Sequence, residues 1–474
     1  MSLLQLIGSL PRISKENPVR NIEVKLRMKN RNDYTALFKI VGPISFQYLM
    51  TSLVSASDAF MLGFLDQKSL SASSLATQVA FVYSLFYCAF VSGFNVMGAQ
   101  YWGKKDRKSV EKVITIALRY AVIVGLVFSL VTAFLPDKVM RIFTPEEVLI
   151  EEGARYLRAV SLSFVLTGIS QIYFGVLKVC DRAGLSSLIG SLSVVINIVL
   201  NAVFIFGIGP CPAMGIVGAA LATVIARMFE VVLALIIVRK YDCPNTKLQY
   251  LFHGKDAKLL KDYRTYSLPI LINQLGWGCG VTMYSVIMGH LGNDAVAANS
   301  IANIVRTMIA SFCWGVAAAV GIVIGGLLGK NELKEAKRLG GKYVRLSIWI
   351  GVASDIFIVC LIPIILRVIT LTPTAMVYLK GMLFMAAYYI IGNSLNSTII
   401  SGIFPAGGDT KFGMCCDLIT LWLVVVPLGC LFAFVVKAPV MVVAFILTLD
   451  EFVKIPAVYI HYKKYRWVRN ITQT

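Results

Sequence analysis

Residues 63–76 read GFLDQKSLSASSLA, and residues 289–302 read GHLGNDAVAANSIA. The two stretches are one pattern written twice, 226 residues apart (289 − 63). Gly63 and Leu65 fall on Gly289 and Leu291, and Ala72, Ser74 and Ala76 fall on Ala298, Ser300 and Ala302. The register holds without a gap from residue 43 to residue 125. Pro43 pairs with Pro269, Gly103-Lys104 with Gly329-Lys330, Arg119 with Arg345 and Gly125 with Gly351. Almost everything between these anchors is apolar. The chain reads as a membrane-embedded half repeated once, the building plan of many secondary transporters.

Composition supports the same class. Of 474 residues, 57% are hydrophobic and 15% charged, outside the range of soluble globular chains. A helix needs about 20 apolar residues to cross the hydrocarbon core. Twelve stretches qualify: 34–62, 74–101, 110–135, 155–180, 184–208 and 214–238, then 264–291, 297–328, 343–369, 375–404, 412–436 and 438–462.

A net charge of +20 would suit a nucleic-acid binder, but its distribution argues for topology. With alternate loops assigned to opposite sides, most Lys and Arg fall on one side, including the N-terminal arm, Lys104, Lys105, Lys330, Lys411 and Lys463. The other side holds Lys68, Lys138, Arg141, Arg367 and Lys437. By the positive-inside rule both termini are expected in the cytoplasm, in a cell inner (plasma) membrane. No nucleic-acid partner is expected.

Six spans per half make both halves enter the membrane in the same orientation, so the repeat is parallel. The expected fold is an all-α polytopic membrane protein, with twelve transmembrane helices in two parallel-repeat six-helix bundles around a central cleft. The expected parts are a cytoplasmic arm (1–33), an N-lobe (34–240), an amphipathic interfacial linker (241–262), a C-lobe (263–463) and a cytoplasmic tail (464–474).

Several motifs carry nothing. The ten cysteines are scattered without a C-x-x-C, and His253, His290 and His461 lie apart. Gly98 to Lys105 nearly spells a phosphate loop, but lysine replaces the required Ser/Thr and the stretch ends an apolar helix. Asn396-Ser397-Thr398 matches a glycosylation sequon inside a span. Residues 3–7 are too short an apolar run for a signal peptide.

Polar groups at membrane depth are costly and usually functional. Gln47, Thr51, Ser55 and Asp58 stand at i, i+4, i+8 and i+11, one face of a helix. The alternative is that Asp58, five residues before Gly63, snorkels to the headgroups. Ser193, Asn197 and Asn201 form a second polar stripe, able to coordinate a cation or hydrogen-bond a carboxyl, or simply to join helices. Gln171 and Tyr173 are weaker candidates for the same cavity. Asp58 maps onto Tyr284, so ion chemistry is expected in the first half. The second half offers Asn273, Gln274, Trp277, Tyr284, Tyr388, Asn393 and Asn396 as an amphipathic wall for flat or cationic molecules. Arg227 with Glu230, and Asp450-Glu451 with Lys454, read as structural ion pairs; Arg306 and Asp355 have no assigned role.

On these residues the chain resembles the multidrug and toxic compound extrusion (MATE) family, closest to its bacterial branches, over roughly residues 34–470. The resemblance rests on Ser57-Asp58-Ala59-Phe60 before Gly63, Ala99 to Asp106, and Asn197 to Asn201 leading to Gly207. It extends to Gly215 to Thr223 and to Gly407 to Phe412, with Trp422 and Pro427-Leu428-Gly429. It implies a V-shaped pair of six-helix bundles exporting organic cations and other amphipathic compounds against inward proton or sodium flow. Asp58 stands where the family's coupling aspartate stands, and Asn197 matches the asparagine beside it. Asn201 departs from the second aspartate of many members, Asp181-Arg182-Ala183 from the first-half Gly-Asp-Thr corner, and Pro405 from an arginine. Spans 7 and 10 lack the acids some members carry there.

The reading is a cation-coupled antiporter with Asp58, Asn197, Asn201, Thr51 and Gln47 at the coupling site. The only metal expected is a transported Na⁺ at Asp58, Asn197 and Asn201, as the alternative to a proton. No cofactor and no catalytic residues are expected. The expected partners are membrane lipid and small organic substrates, and the expected state is a monomer. The competing readings are a flippase for a lipid-linked precursor, a multispan enzyme and a channel.

Overall fold

The first helix, α1 (Asn32–Leu65), carries Pro43 in its interior, and its repeat partner α9 (Ala257–Gly289) carries Pro269. The computed structural model describes residues 32–208, 211–247, 250, 256–369 and 371–473, without the side chains of 32–36, 52–56, 59 and 60. Residues 32–39 are the opening turns of α1; the account below concerns residues 40–473. The expected arm, and residues 248–249 and 251–255 of the expected linker, lie outside the described residues. The rest of the linker region includes the start of α9 at Ala257.

The remaining first-half helices are α2 (Gln67–Gly103), α3 (Arg107–Phe134), α4 (Pro136–Met140), α5 (Glu147–Val160), α6 (Leu162–Val179), α7 (Ala183–Phe206) and α8 (Gly215–Lys240). The second half continues with α10 (Asn293–Gly329), α11 (Leu333–Val368), α12 (Pro373–Asn396), α13 (Phe404–Ala406), α14 (Thr410–Ile419), α15 (Val426–Cys430), α16 (Val440–Leu447) and α17 (Asp450–Lys463). Among the described residues, ten helical runs are long and apolar enough to cross a membrane. They include Pro373–Ala406 and Thr410–Val435, in which turns widened to the π form (Ser397–Ile403, Thr420–Val425, Leu431–Val435) join the shorter helices. Pro405 and Pro427, which lack an amide donor, lie next to these wide turns.

The last expected span, 438–462, is two helices rather than one. The chain breaks at Thr448-Leu449, and Asp450 and Glu451 open α17. Continuous apolarity concealed the break. Acids in a first turn are favoured by the helix dipole, which also explains why they can stand here at membrane depth.

Local signals set the helix starts. The Asp66 carboxylate accepts from Ser69 N (2.6 Å) and Ser69 Oγ (2.8 Å) at the start of α2. Asp106 does the same for Ser109 at the start of α3. The repeat extends to the corner after α2 and α10, where Lys105 (φ 66°) and Asn331 (φ 64°), 226 residues apart (331 − 105), both adopt the left-handed conformation. Packing repeats as well. Leu62, Ala72 and Ala76 are in a first-half core with Ile150, Leu157 and Ile216, while Met288, Ala298 and Ala302 are in a second-half core with Leu379, Leu383 and Val443.

The halves meet through small residues. A Cβ on Gly315 would lie 2.1 Å from Ser45 Oγ, and one on Gly93 would lie 1.8 Å from Ser267 Oγ. A Cβ on Gly103 would lie 2.2 Å from Gly326 O, and one on Gly329 2.0 Å from Gln100 O. Backbones approach this closely only where no side chain intervenes.

Residues 464–473 lie along this junction. Trp467 is fully buried, Ile471 N donates to Gln100 Oε1 (2.8 Å), Gln100 Nε2 donates to Ala406 O (2.6 Å), and Arg469 donates to the carbonyls of Gly407 and Gly408 (2.8 and 3.1 Å). The expected tail is thus a docked segment tying α2 to the corner before α14.

Arg155 and Arg158 fall on α5, which packs beside α4. There Arg158 pairs with Asp137 and Arg155 with Glu152.

Candidate functional site

The polar stripes of α1 and α7 come together. Asn201, with no exposed surface, donates through Nδ2 to Asp58 Oδ1 and to Asn197 Oδ1 (3.3 Å), and Asn197 donates to Thr223 Oγ1 on α8 (3.4 Å). One face of α7 therefore holds the α1 carboxylate at one end and reaches α8 at the next turn. The spacing of four residues predicts this alignment; which helix supplies each partner comes from packing.

Below this pair opens a cavity lined by Gln47, Thr51, Gln171, Asn197, Arg227 and Glu230, among others. Gln47 is 7% exposed and its Oε1 has no hydrogen-bond partner. Thr51 Oγ1 donates to the Gln47 carbonyl (3.0 Å), so its hydroxyl serves its own helix while its side chain lines the wall. The Ser55 side chain lies outside the described residues. Tyr173 does not join the cavity. It is buried on another face of α6 and donates to Asn245 Oδ1 (2.8 Å), because positions two apart on a helix do not share a face.

Sequence reasoning set aside two groups that belong here. Glu230, fully buried, accepts from Arg227, and the Ser193 hydroxyl, first in the α7 stripe, faces both Glu230 Oε2 (3.2 Å) and the Ala226 carbonyl (3.1 Å). The pair looked like a local i, i+3 bridge; its signal was that Glu230 has no apolar reason to be in span 6.

The second half differs more from expectation. Asn273 donates to Asp417 Oδ2 (2.9 Å), while Asn393 (3.1 Å), Asn396 (2.8 Å) and Tyr389 (3.3 Å) donate to Glu451. Lys454 bridges Asp417 (2.9 Å) and Glu451 (3.1 Å). Asn273 thus serves a half-buried acid and Asn393 and Asn396 a buried one, and these second-half carboxylates stand on α14 and α17 instead of spans 7 and 10. In the sequence Asp417 is one polar residue in an apolar run.

Tyr388 is stacked on Phe452 (4.0 Å between ring centroids). Trp277 is 39% exposed and meets Phe81 (6.4 Å) and Trp314 (6.5 Å). Gln274 is partly exposed on α9. Tyr284 lines a second cavity with Asn299, Asn303, Arg306, Met382 and Met385. The proposed wall residues therefore fall on several surfaces. Arg306 also stands 4.9 Å over the Tyr389 ring.

Comparison with known proteins agrees with the duplication. The MatE family profile matches residues 43–203 and again residues 269–431, two segments whose starts are 226 residues apart (269 − 43). The chain is 21% identical over 398 residues to "Uncharacterized transporter YisQ" of Bacillus subtilis, covering 84% of this chain and 87% of that one. It is 22% identical to "Probable multidrug resistance protein NorM" of Thermotoga maritima, covering 83% and 84%. Its fold matches that of the Vibrio cholerae MATE transporter VcmN in the bent form, with a TM-score of 0.81 at 16% identity over 91% of this chain and 96% of that one. A duplicated, many-spanned helical chain matched in both halves by one profile leaves a single assignment: it belongs to the MatE family of multidrug efflux transporters and is a multi-pass membrane protein.

Proposed function

We propose that the protein is a cation-coupled antiporter that exports organic cations, drugs and other amphipathic small molecules by alternating access, driven by H⁺ or Na⁺. The observation that carries this reading is the Asp58 carboxylate held by Asn201, one helical turn from Asn197 in the wall of a cavity. An ionised acid at membrane depth needs a counter-charge, and an entering cation supplies one. Ion binding drives transport only through a difference in affinity between two conformations. That α1 supplies the carboxylate and α7 its amide donor supports this reading, since relative movement of the two helices would remake the site. Relatives named as multidrug resistance proteins support the substrate class. The charge distribution supports cytoplasmic termini and an inner-membrane location.

The test is efflux of a fluorescent organic cation from proteoliposomes, with pH and Na⁺ gradients imposed separately. Efflux driven by one gradient and lost in Asp58→Asn is expected and names the ion. Undiminished gradient-driven efflux in Asp58→Asn would sink the mechanism.

A further inference from the structure

The Arg227–Glu230 pair is unexplained by packing. Both partners are on one helix, three residues apart, so their bond ties no two helices together. Burying such a pair costs several kcal/mol per ion, which a good structural bridge offsets with cross-helix contacts. Here the cross-helix contact is Ser193, and Glu230 Oε1 is buried with no partner at all. The exposures are unequal: the Glu230 side chain is at 0% and Arg227 at 23%, both lining the same cavity as Gln47, Thr51 and Asn197.

The geometry of α7 relates this pair to Asp58. Asn201 holds Asp58 and Ser193 holds Glu230, with Asn197 between them. Eight residues at about 1.5 Å each put the two carboxylates' anchoring positions about 12 Å apart along the helix. The cavity beside this face carries Gln47, Thr51, Asn197 and Thr223 among apolar Met50, Phe174 and Val194. Arg227 bonds Glu230 and stands one turn after Thr223, which accepts from Asn197 beside the Asn201 that holds Asp58; both Thr223 and Arg227 line the cavity. The other titratable groups nearby are Tyr87 of α2, beside Arg227, and Tyr156 of α5, beside Asp58. Beyond them, Lys178 of α6 stands over the Tyr48 ring of α1 and beside Cys88 of α2. The α7 face itself contributes only neutral Ser193, Asn197 and Asn201.

We infer that Glu230 is a second proton-binding station of the first-half cavity, with Arg227 as the counter-ion shared between it and Asp58. This rests on the antiport reading above and commits it to protons. The proton leaves the Asp58 carboxyl and arrives at Glu230 Oε1. Glu230 becomes neutral and Asp58 ionised, the guanidinium released from the first serves the second, and the charge of the cavity is unchanged.

The measurement is infrared difference spectroscopy of the purified protein in lipid, cycled between neutral and acidic pH and read in the carboxylic C=O stretch. Loss of one band in Asp58→Asn and of a different band in Glu230→Gln is expected, with Glu230→Asp shifting the second band rather than removing it. In proteoliposomes, Glu230→Gln is expected to lower proton-driven efflux by about tenfold or more. A Glu230→Gln spectrum superimposable on wild type, or a Glu230→Asp band at the wild-type position, would overturn the assignment. If Glu230→Gln does not fold, the Glu230→Asp shift decides alone. Wild-type protein that shows both bands yet drives no efflux would remove the antiport reading and leave Glu230 as a proton acceptor.

Discussion

Asn201 of α7 donates its amide to the carboxylate of Asp58 on α1, across 143 positions of sequence. This contact joins the two polar stripes of the first half and ties the ionisable group to a partner that helix movement can withdraw. Asn201→Ala should leave Asp58 without its amide donor. A hydrogen bond to a charged group contributes about 1.5–3 kcal/mol, so gradient-driven dye efflux should fall about tenfold or more while the protein still purifies as a folded species. Efflux equal to wild type would mean that Asn201 does not position the coupling acid.

Lys454 is the shared cation of Asp417 and Glu451, with its side chain 10% exposed. Removing one partner of a buried pair leaves uncompensated charge and costs about 3–5 kcal/mol. Lys454→Met should therefore lower the thermal unfolding temperature in detergent markedly, and Glu451→Gln in the same chain should recover part of the loss. Additive losses in the double variant would contradict the pairing.

Gly329 approaches the Gln100 carbonyl so closely that a Cβ would lie 2.0 Å from it. Gly329→Ala must push α10 from α2, and overpacking of this kind costs about 1–3 kcal/mol. Gly289→Ala, where a Cβ would meet nothing within 4 Å, should change unfolding temperature little. Comparison of the two by thermal denaturation separates close packing from a general effect of replacing helical glycine.

Docking of the C-terminal segment rests on Trp467, which is fully buried, and Arg469. Trp467→Ala should destabilise by about 3–5 kcal/mol. It should also make residues 464–473 sensitive to limited proteolysis at concentrations that spare wild type. Protease resistance equal to wild type would mean that the segment is held by something else.

Asp66, at the outset of α2, is held below the usual carboxylate range, chiefly by the Ser69 amide. A carboxylate whose folded value is depressed stabilises the fold fully above its unfolded value of about 3.9 and loses that contribution as pH falls through the folded value. Asp66→Ala should cost about 0.5–2 kcal/mol at neutral pH, as loss of a helix cap does, and the difference from wild type should vanish in strong acid. Unfolding temperatures across an acid series check both parts.

The sequence by itself determined the class, the duplication and the two polar stripes of the first half. Each follows from short-range rules: apolar length sets spans, an exact offset sets the repeat, and a spacing of four aligns Ser193, Asn197 and Asn201 on one helix face. It also grouped Asp58 with Asn197 and Asn201, of which Asn201 is the direct donor. Tertiary structure decided the rest. Asn393 and Asn396 looked like cavity lining until α17 brought Glu451 against them, and Glu230 looked like half of a local ion pair until α7 brought Ser193 and the cavity to it. Periodicity gives the face a side chain occupies, but not which helix covers that face. In a membrane every span is apolar, so hydrophobic pattern cannot distinguish a neighbour from the lipid, and only the packed coordinates assign a buried charge its partner.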